Sequence, residues 1–367
     1  MALETRRLSE KENSIQGFTV HFWNGRVSID GRVLPMGQVS SDVLNLSDDL
    51  LLDLRHKANE MLKIMKTELF NPEIKKDLAL VSAVQETLNE VMDIVLILPL
   101  FEYLDVDVKL TRSLLSEVYS ENPEEFRQML LPETAENILF VGFLKTLTLI
   151  SDELHTFRVY VRTMLDFYFE RLKRRNPEYY AVAIYDFFSN RKVQREISSL
   201  MPPAPVYQFQ QARAAMIEYT TMPDPEEPKK YIVAERMVFD SIAAFLHVDF
   251  FRGLMNGNVP RRCHNCRRYF LLLGGYDICY CLNIAPGETN RTCRDVGAHK
   301  KEARKEGKTP ARLEYDKVYN RLKTRKARGK LTTDEWNDAV ALALAYKDKA
   351  EAGELSDFEL REIYNKM

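Results

Sequence analysis

No stretch of this chain stays apolar for long enough to cross a bilayer. Its two most hydrophobic segments, residues 91–104 and 138–150, are interrupted by Asp93 and Glu102 and by Lys145. Each falls short of the ~20 residues that a spanning helix needs, so both read as buried core helices. The start, Met1 to Arg7, lacks the apolar run of a signal peptide. The expectation is a cytoplasmic protein with no membrane partner. Familiar catalytic signatures are missing too. The chain has no Gly-x-x-x-x-Gly-Lys-Ser/Thr loop, no Gly-x-Ser-x-Gly elbow, no His-Glu-x-x-His pair and no Gly-x-Gly-x-x-Gly turn. His21, His56, His155 and His247 stand isolated, each read as a hydrogen-bonded structural residue, and no catalytic residue is assigned.

Cysteine is the other scarcity. The 367 residues hold five, and all lie between positions 263 and 293. Thiols gathered at ligand spacing in a chain without a secretion signal point to a metal rather than to disulfides. In Cys263-x-x-Cys266 a short knuckle aims two thiolates inward. Tyr269–Leu273, Gly274-Gly275 and residues 276–281 read as a β-hairpin returning Cys281. Cys293 stands where a basic helix begins, and a helix N-terminus favours thiolate charge. Knuckle, hairpin and helix start describe a treble-clef-like finger, with Cys263, Cys266, Cys281 and Cys293 holding a structural Zn2+. Cys279 is two residues before Cys281 and points the same way in an extended strand. It is the alternative to Cys281 and the expected spare thiol. His264 and His299 are substitute ligands, and buried thiols without metal or an iron–sulfur centre are the other readings of the cluster. Four thiolates close a zinc site, whereas catalytic zinc keeps an open position. The deaminase pattern, His-x-Glu before Pro-Cys-x-x-Cys, is absent, because Arg261 and Arg262 separate Pro260 from Cys263.

Three blocks carry a resemblance: Pro260 to Phe270, Tyr280-Cys281, and Thr292-Cys293-Arg294-Asp295-Val296-Gly297-Ala298. Together they resemble an uncharacterised family of bacterial domain-of-unknown-function proteins, from the helix before Cys263 to the C-terminus. The cysteine frame is more distantly similar to CGNR-type zinc fingers, proposed transcriptional regulators. That family closes with Cys-Gly-Asn-Arg, where this chain has Cys293-Arg294-Asp295-Val296 and a longer Cys281 to Cys293 interval. The resemblance implies a metal site and, through the second family, a regulatory role.

The formal net charge of −2 conceals an imbalance. Residues 261–330 contain 19 Lys and Arg against 7 Asp and Glu, a formal +12, which leaves −14 on the remainder. Such a segment suits an anionic partner, DNA or RNA, or docking onto the acidic body, or plain solvated helices. Arg267, Arg268, Arg294, Lys300, Lys301, Arg304, Lys305, Arg321, Arg325, Lys326 and Arg328 are the candidate nucleic-acid contacts. Tyr315 and Tyr319, one turn apart, suit packing more than base stacking.

Hydrophobic content of 45% and charged content of 29% suit a globular protein. Asn24-Gly25 and Asp30-Gly31 between β-branched and aromatic runs predict an N-terminal three-stranded meander. Asn71-Pro72-Glu73, Asn122-Pro123-Glu124 and Asn176-Pro177-Glu178 each predict a helix start. The aromatic group between Phe167 and Phe188 reads as core. The expected organisation is a meander and arm over 1–46, a helical body over 47–200 and a proline-rich linker over 201–230, with a short helix near 210–219. A helix plus finger over 231–310 follows, its helix running from Ala234 to Met255. C-terminal helices over 311–367 start near Pro310, Thr332 and Ser356, the last two through Thr/Ser-x-x-Glu capping boxes. The fold class is thus mainly α. The functional expectation is a zinc-binding, nucleic-acid-binding or regulatory protein. The alternatives are a protein-interaction scaffold and an enzyme in the helical body.

Overall fold

The computed structural model describes residues 13–172, 175–200, 216–225, 227–273, 278–297 and 309–367. The chain divides into two compact units, 1–279 and 280–367. The first opens with strands β1 (Phe18–Trp23), β2 (Arg26–Ile29) and β3 (Arg32–Pro35). Asn24 and Gly25 have φ of 40° and 76°, and Asp30 and Gly31 have 47° and 78°. Two successive left-handed residues match the right-handed strand twist, which is why Asn-Gly and Asp-Gly make these turns. The meander is not the whole sheet. Strands β4 (Met216–Pro223) and β5 (Tyr231–Phe239) complete an antiparallel sheet ordered β3-β2-β1-β5-β4.

That pairing corrects two expectations. Residues 216–219 belong to a strand, not to a short helix, and the helix expected from Ala234 begins only at Ile242. Tyr219-Thr220-Thr221 and Tyr231-Ile232-Val233 are aromatic and β-branched residues that fit a pleated surface. Pro225 and Pro228 stand in the bend between these two strands, where Asp224 N–H donates to the Lys230 carbonyl at 2.8 Å; the first part of the expected linker, 201–215, lies outside the described residues. The open edge of β1 supplies the missing tertiary reason. Phe18 faces Phe239 in register, and their rings lie 5.8 Å apart.

The helical body comprises α1 (Gln38–Val43), α2 (Asp48–Ile64), α3 (Leu78–Val95), α4 (Pro99–Tyr103), α5 (Val108–Glu121), α6 (Pro123–Leu130), α7 (Ala135–Met164), α8 (Pro177–Ser189) and α9 (Arg191–Ser199). Helix α10 (Ile242–Met255) follows the sheet. Asn122 and Asn176 cap α6 and α8, accepting from Glu125 N–H at 3.3 Å and Tyr179 N–H at 3.1 Å. Asn71-Pro72 does not start a helix. Asn71 closes a turn on Glu73 N–H, and the Lys76 ammonium donates to the carbonyls of Asn71 and Ile74, so α3 begins later under an Asp77 cap.

Helix α7 runs through the middle of this unit. Phe140, Phe143, Leu147, Ile150, Leu154, Phe157, Val161 and Met164 repeat at three and four residues and are buried, one continuous apolar face. Helices α2, α6 and α10 pack against it. Of the aromatic group, Phe169, Tyr180 and Phe187 are buried as expected, while Phe167 and Tyr185 are exposed. Helices α2 and α7 each end in a π-helical turn, Met65–Leu69 and Leu165–Phe169. Among the described residues no single helix is long and apolar enough to cross a membrane. One pair, α6 with α7 and its π turn, meets that test by length and composition only, bent by 66°.

The second unit has its own small core. Helices α11 (Pro310–Ala327), α12 (Thr333–Glu351) and α13 (Asp357–Lys366) start where the capping residues predict. Thr332 and Ser356 both form complete capping boxes with Glu335 and Glu359. Tyr315, Val318, Leu322, Ala343, Leu360 and Tyr364 are buried together, with Tyr319 and Trp336 packed against them. The tyrosine pair therefore serves as core.

Candidate metal centre

Strand β6 (Val259–Arg262) pairs antiparallel with β7 (Tyr269–Leu272), and the Cys263–Cys266 knuckle is the turn between them. This differs from the sequence expectation, which paired Tyr269–Leu273 with residues 276–281. Residues 278–281 carry no strand, and 274–277 lie outside the described residues. Val259 and Tyr269 belong to the core of the first unit and Leu272 is buried, which favours β6 as the partner. The knuckle closes on itself. Cys263 N–H donates to the Arg268 carbonyl at 2.8 Å, and Arg267 N–H donates to the Cys263 carbonyl at 3.0 Å. Arg267 has φ of 66°, the left-handed conformation that reverses the chain here.

A second loop carries Cys281 and Cys293. Cys293 N–H donates to the Asn283 carbonyl at 2.8 Å and Arg294 N–H to the Cys281 carbonyl at 3.1 Å, so the backbone ties these two positions. Residues 293–297 are helical. Thr292 caps them with Asp295, whose N–H lies 3.2 Å from the Thr292 hydroxyl while its carboxylate accepts from Thr292 N–H at 2.9 Å. Gly297 is required at its position. A Cβ there would stand 2.6 Å from the Tyr280 ring.

The sulfurs of Cys263, Cys266, Cys281 and Cys293 all lie within 4.8 Å of one another, and three of the four residues are buried. None is in a disulfide. A tetrahedron of Zn–S bonds about 2.3 Å long spaces sulfurs about 3.8 Å apart. The four thiols therefore fit a metal ion with a modest contraction. Four sulfur donors suit a soft or borderline cation and leave no open position on a tetrahedral one. Cys279 is outside the set, and its carbonyl accepts from His264 N–H at 2.9 Å. His264 turns instead to Glu170, with Nε2 at 3.2 Å from Oε1, and His299 lies outside the described residues.

The π turn at the end of α7 meets this hairpin, which sequence reasoning missed. Glu170 accepts from the buried Arg261 guanidinium at 3.2 Å, and Asp166 accepts from Arg262 at 3.1 Å. Burial works to raise the Glu170 carboxyl, but Arg261, His264 and Arg175 outweigh it and hold it below the ordinary carboxylate range. Asn45 fixes the outer strand, accepting from Tyr269 N–H at 2.7 Å and donating to the Tyr269 carbonyl at 2.8 Å. Guanidiniums of Arg162 and Arg262 sit 5.9 and 5.8 Å from the Tyr269 ring centre. The partners lie roughly 90 or more positions away in sequence, and only the excess of acid outside residues 261–330 hinted at them.

The candidate nucleic-acid contacts fall into three groups. Arg267, Arg268, Arg294 and Arg328 are exposed. Lys300, Lys301, Arg304 and Lys305 lie outside the described residues. Arg321, Arg325 and Lys326 are engaged within the second unit. Arg321 donates to the Tyr364 carbonyl, Arg325 to the Met367 carbonyl at 2.6 Å, and the Lys326 ammonium sits 4.2 Å from the Trp336 ring centre. No curated protein and no solved structure matches the chain. Residues 210–366, which hold the cysteine cluster and the C-terminal helices, match a family described as "Family of unknown function (DUF6076)".

Proposed function

We propose that the four thiolates bind one Zn2+ as a closed structural site in a treble-clef-like finger, and that the finger region contacts nucleic acid. The observation that carries the metal reading is the convergence of four sulfurs within 4.8 Å. A four-sulfur shell supports folding rather than catalysis, because it offers no place for a reacting water. Exposed Arg267, Arg268 and Arg294 flank the ligands in sequence, and guanidiniums beside a metal-stiffened backbone suit phosphate. Such contacts are sequence-independent, so the proposed binding reads backbone charge rather than base identity. A regulatory role of the kind suggested for CGNR-type fingers belongs to this reading, in a cytoplasmic setting.

Native mass spectrometry of the full chain tests the metal, with one zinc per chain expected. Fluorescence anisotropy with single-stranded and duplex DNA and RNA across a salt series tests the partner. Affinity should fall steeply as salt rises. Failure to bind any of these at low salt overturns the nucleic-acid reading while leaving the zinc reading standing. The engagement of Arg321, Arg325 and Lys326 inside the C-terminal unit favours a second reading, an interaction scaffold whose metal only organises the fold. That reading predicts a protein complex indifferent to added polyanions.

A further inference from the structure

An apolar cleft without acid on its walls lies far from the cysteines in sequence, between the end of α2 with its π turn and the α6–α7 corner. It encloses about 620 Å³, inside the range of roughly 300–1,000 Å³ typical of small-molecule sites. Leu62, Met65, Phe70, Leu130, Val141 and Leu144 supply apolar wall. Leu131 and Val141 are 45% and 43% exposed, which leaves apolar surface uncovered at the cleft. Two cations stand among these groups, Lys66 in the π turn and Lys145 on α7, and neither Asp nor Glu lines the cleft. Neither ammonium is in an ion pair among the described residues, although Lys145 also borders a smaller cavity with Glu153 and Asp240. Glu153 is committed elsewhere, accepting from the Ser241 hydroxyl and Ala243 N–H. The π turn is itself an unusual feature, since such turns are rare and frequently lie at functional sites.

An apolar trough with positive charge and no negative charge selects an amphipathic anion. We propose that this cleft binds a free alkyl carboxylate, a fatty acid, with its chain along Leu62, Met65, Phe70 and Val141 and its carboxylate between Lys66 and Lys145. A single carboxylate can accept from both ammonium groups, and the aliphatic stems of the lysines extend the apolar wall. The chain contributes by burial. Each added pair of methylenes strengthens binding roughly tenfold as long as the cleft accommodates them.

Isothermal titration of the full chain with decanoate, laurate and myristate below their micelle concentrations tests this, with dodecanol as the uncharged control. The expected result is one site per chain, affinity rising with chain length, and laurate bound at least tenfold tighter than dodecanol. In the Lys66→Gln/Lys145→Gln double variant, whose changes fall on exposed positions, the preference for laurate over dodecanol should vanish while the thermal midpoint stays put. Val141→Trp, which fills the cleft, should abolish both. Absence of laurate binding, equal binding of laurate and dodecanol by the native chain, or a preference that survives in the double variant overturns the proposal. Association with anionic phospholipid vesicles but not with monomeric laurate overturns it in favour of a membrane surface.

Discussion

In residues 1–279, α1 and α10 each receive at the N-terminus a carboxylate from far along the chain, whereas in residues 280–367 α12 and α13 close capping boxes from their own first turns. Buried Asp249 of α10 accepts from Gly37 N–H at 2.7 Å, Ser40 N–H at 3.0 Å and the Ser40 hydroxyl at 2.7 Å, so it caps α1 from 209 to 212 residues away. Glu153 does the same for α10, accepting from Ser241 and Ala243. In the second unit Ser356 and Glu359 satisfy one another's backbone three residues apart. A cap from a distant element binds that element to the helix it caps, so the first unit's polar core also fixes its tertiary arrangement. A self-capped helix gains only its own end.

The comparison breaks most decisively at the metal, which neither kind of cap can replace. Cys263→Ser and Cys293→Ser are each expected to release the ion, and Cys279→Ser to retain it, as read by native mass spectrometry. Structural zinc contributes on the order of 10 kcal/mol in small fingers. Loss of a ligand should therefore melt the loop around 281–297, seen as lost amide protection there. Retention of metal by either of the first two variants would remove that residue from the ligand set.

Asp249→Ala is the next largest break. It leaves the Gly37 and Ser40 N–H groups buried without an acceptor, while the Ser40 hydroxyl keeps the Leu246 carbonyl at 3.1 Å, and each orphaned buried donor costs about 1–3 kcal/mol. Burial raises the Asp249 carboxyl above its ordinary range even against the three donors that favour the anion. Asp249→Asn keeps one acceptor and should cost less than the alanine. Urea denaturation followed by intrinsic fluorescence measures both. Equal and small losses would mean that the donors find water.

The same contrast explains what could be read beforehand. Capping boxes, Asn-Gly turns and the Asn-Pro starts at 122 and 176 depend on neighbours within a few residues, and they formed where their chemistry dictates. The four thiols came together as their spacing suggested, because the knuckle and the Thr292 cap are also local. What was hidden is tertiary. No local signal tells that Tyr231–Phe239 will join β1, that β6 rather than residues 276–281 will pair with β7, or that Arg261 and Arg262 will meet Glu170 and Asp166. The failed start at Asn71 makes the same point from the other side, since a single Lys76 ammonium captured carbonyls that a helix would have used.

Tyr364 shows that the second unit has one buried polar tie of its own. Its hydroxyl donates to the Ala343 carbonyl at 2.7 Å. Burial, with Tyr315, Asp348 and Glu351 nearby, pushes the phenol up to about 12 from 10.0. The folded state therefore prefers the protonated form. Its stabilisation is fully present below pH 10 and is lost as pH rises from 10 through about 12. Tyr364→Phe should cost about 1–2 kcal/mol at neutral pH and should remove this part of the alkaline loss. An unchanged alkaline titration in the variant would assign the transition to another group.

The smallest expected effect is the sharpest test of self-capping. Ser356→Ala removes the hydroxyl that accepts from Glu359 N–H at 3.3 Å, and leaves Glu359 still able to reach back to the backbone N–H of residue 356, now at 2.9 Å. Half of the box survives, so the loss should be about 1 kcal/mol. Glu359 is held below the ordinary carboxylate range first by the Ser356 backbone and then by its hydroxyl. The remaining stabilisation is present above the unfolded-state carboxylate range and is lost as pH falls through the lowered folded value. Because α13 contributes Leu360 and Tyr364 to the small core, fraying at its first turn should appear as faster amide exchange confined to α13. Spread of that exchange into α11 and α12 would mean that the local cap supports the whole bundle, and would erase the difference between the two units.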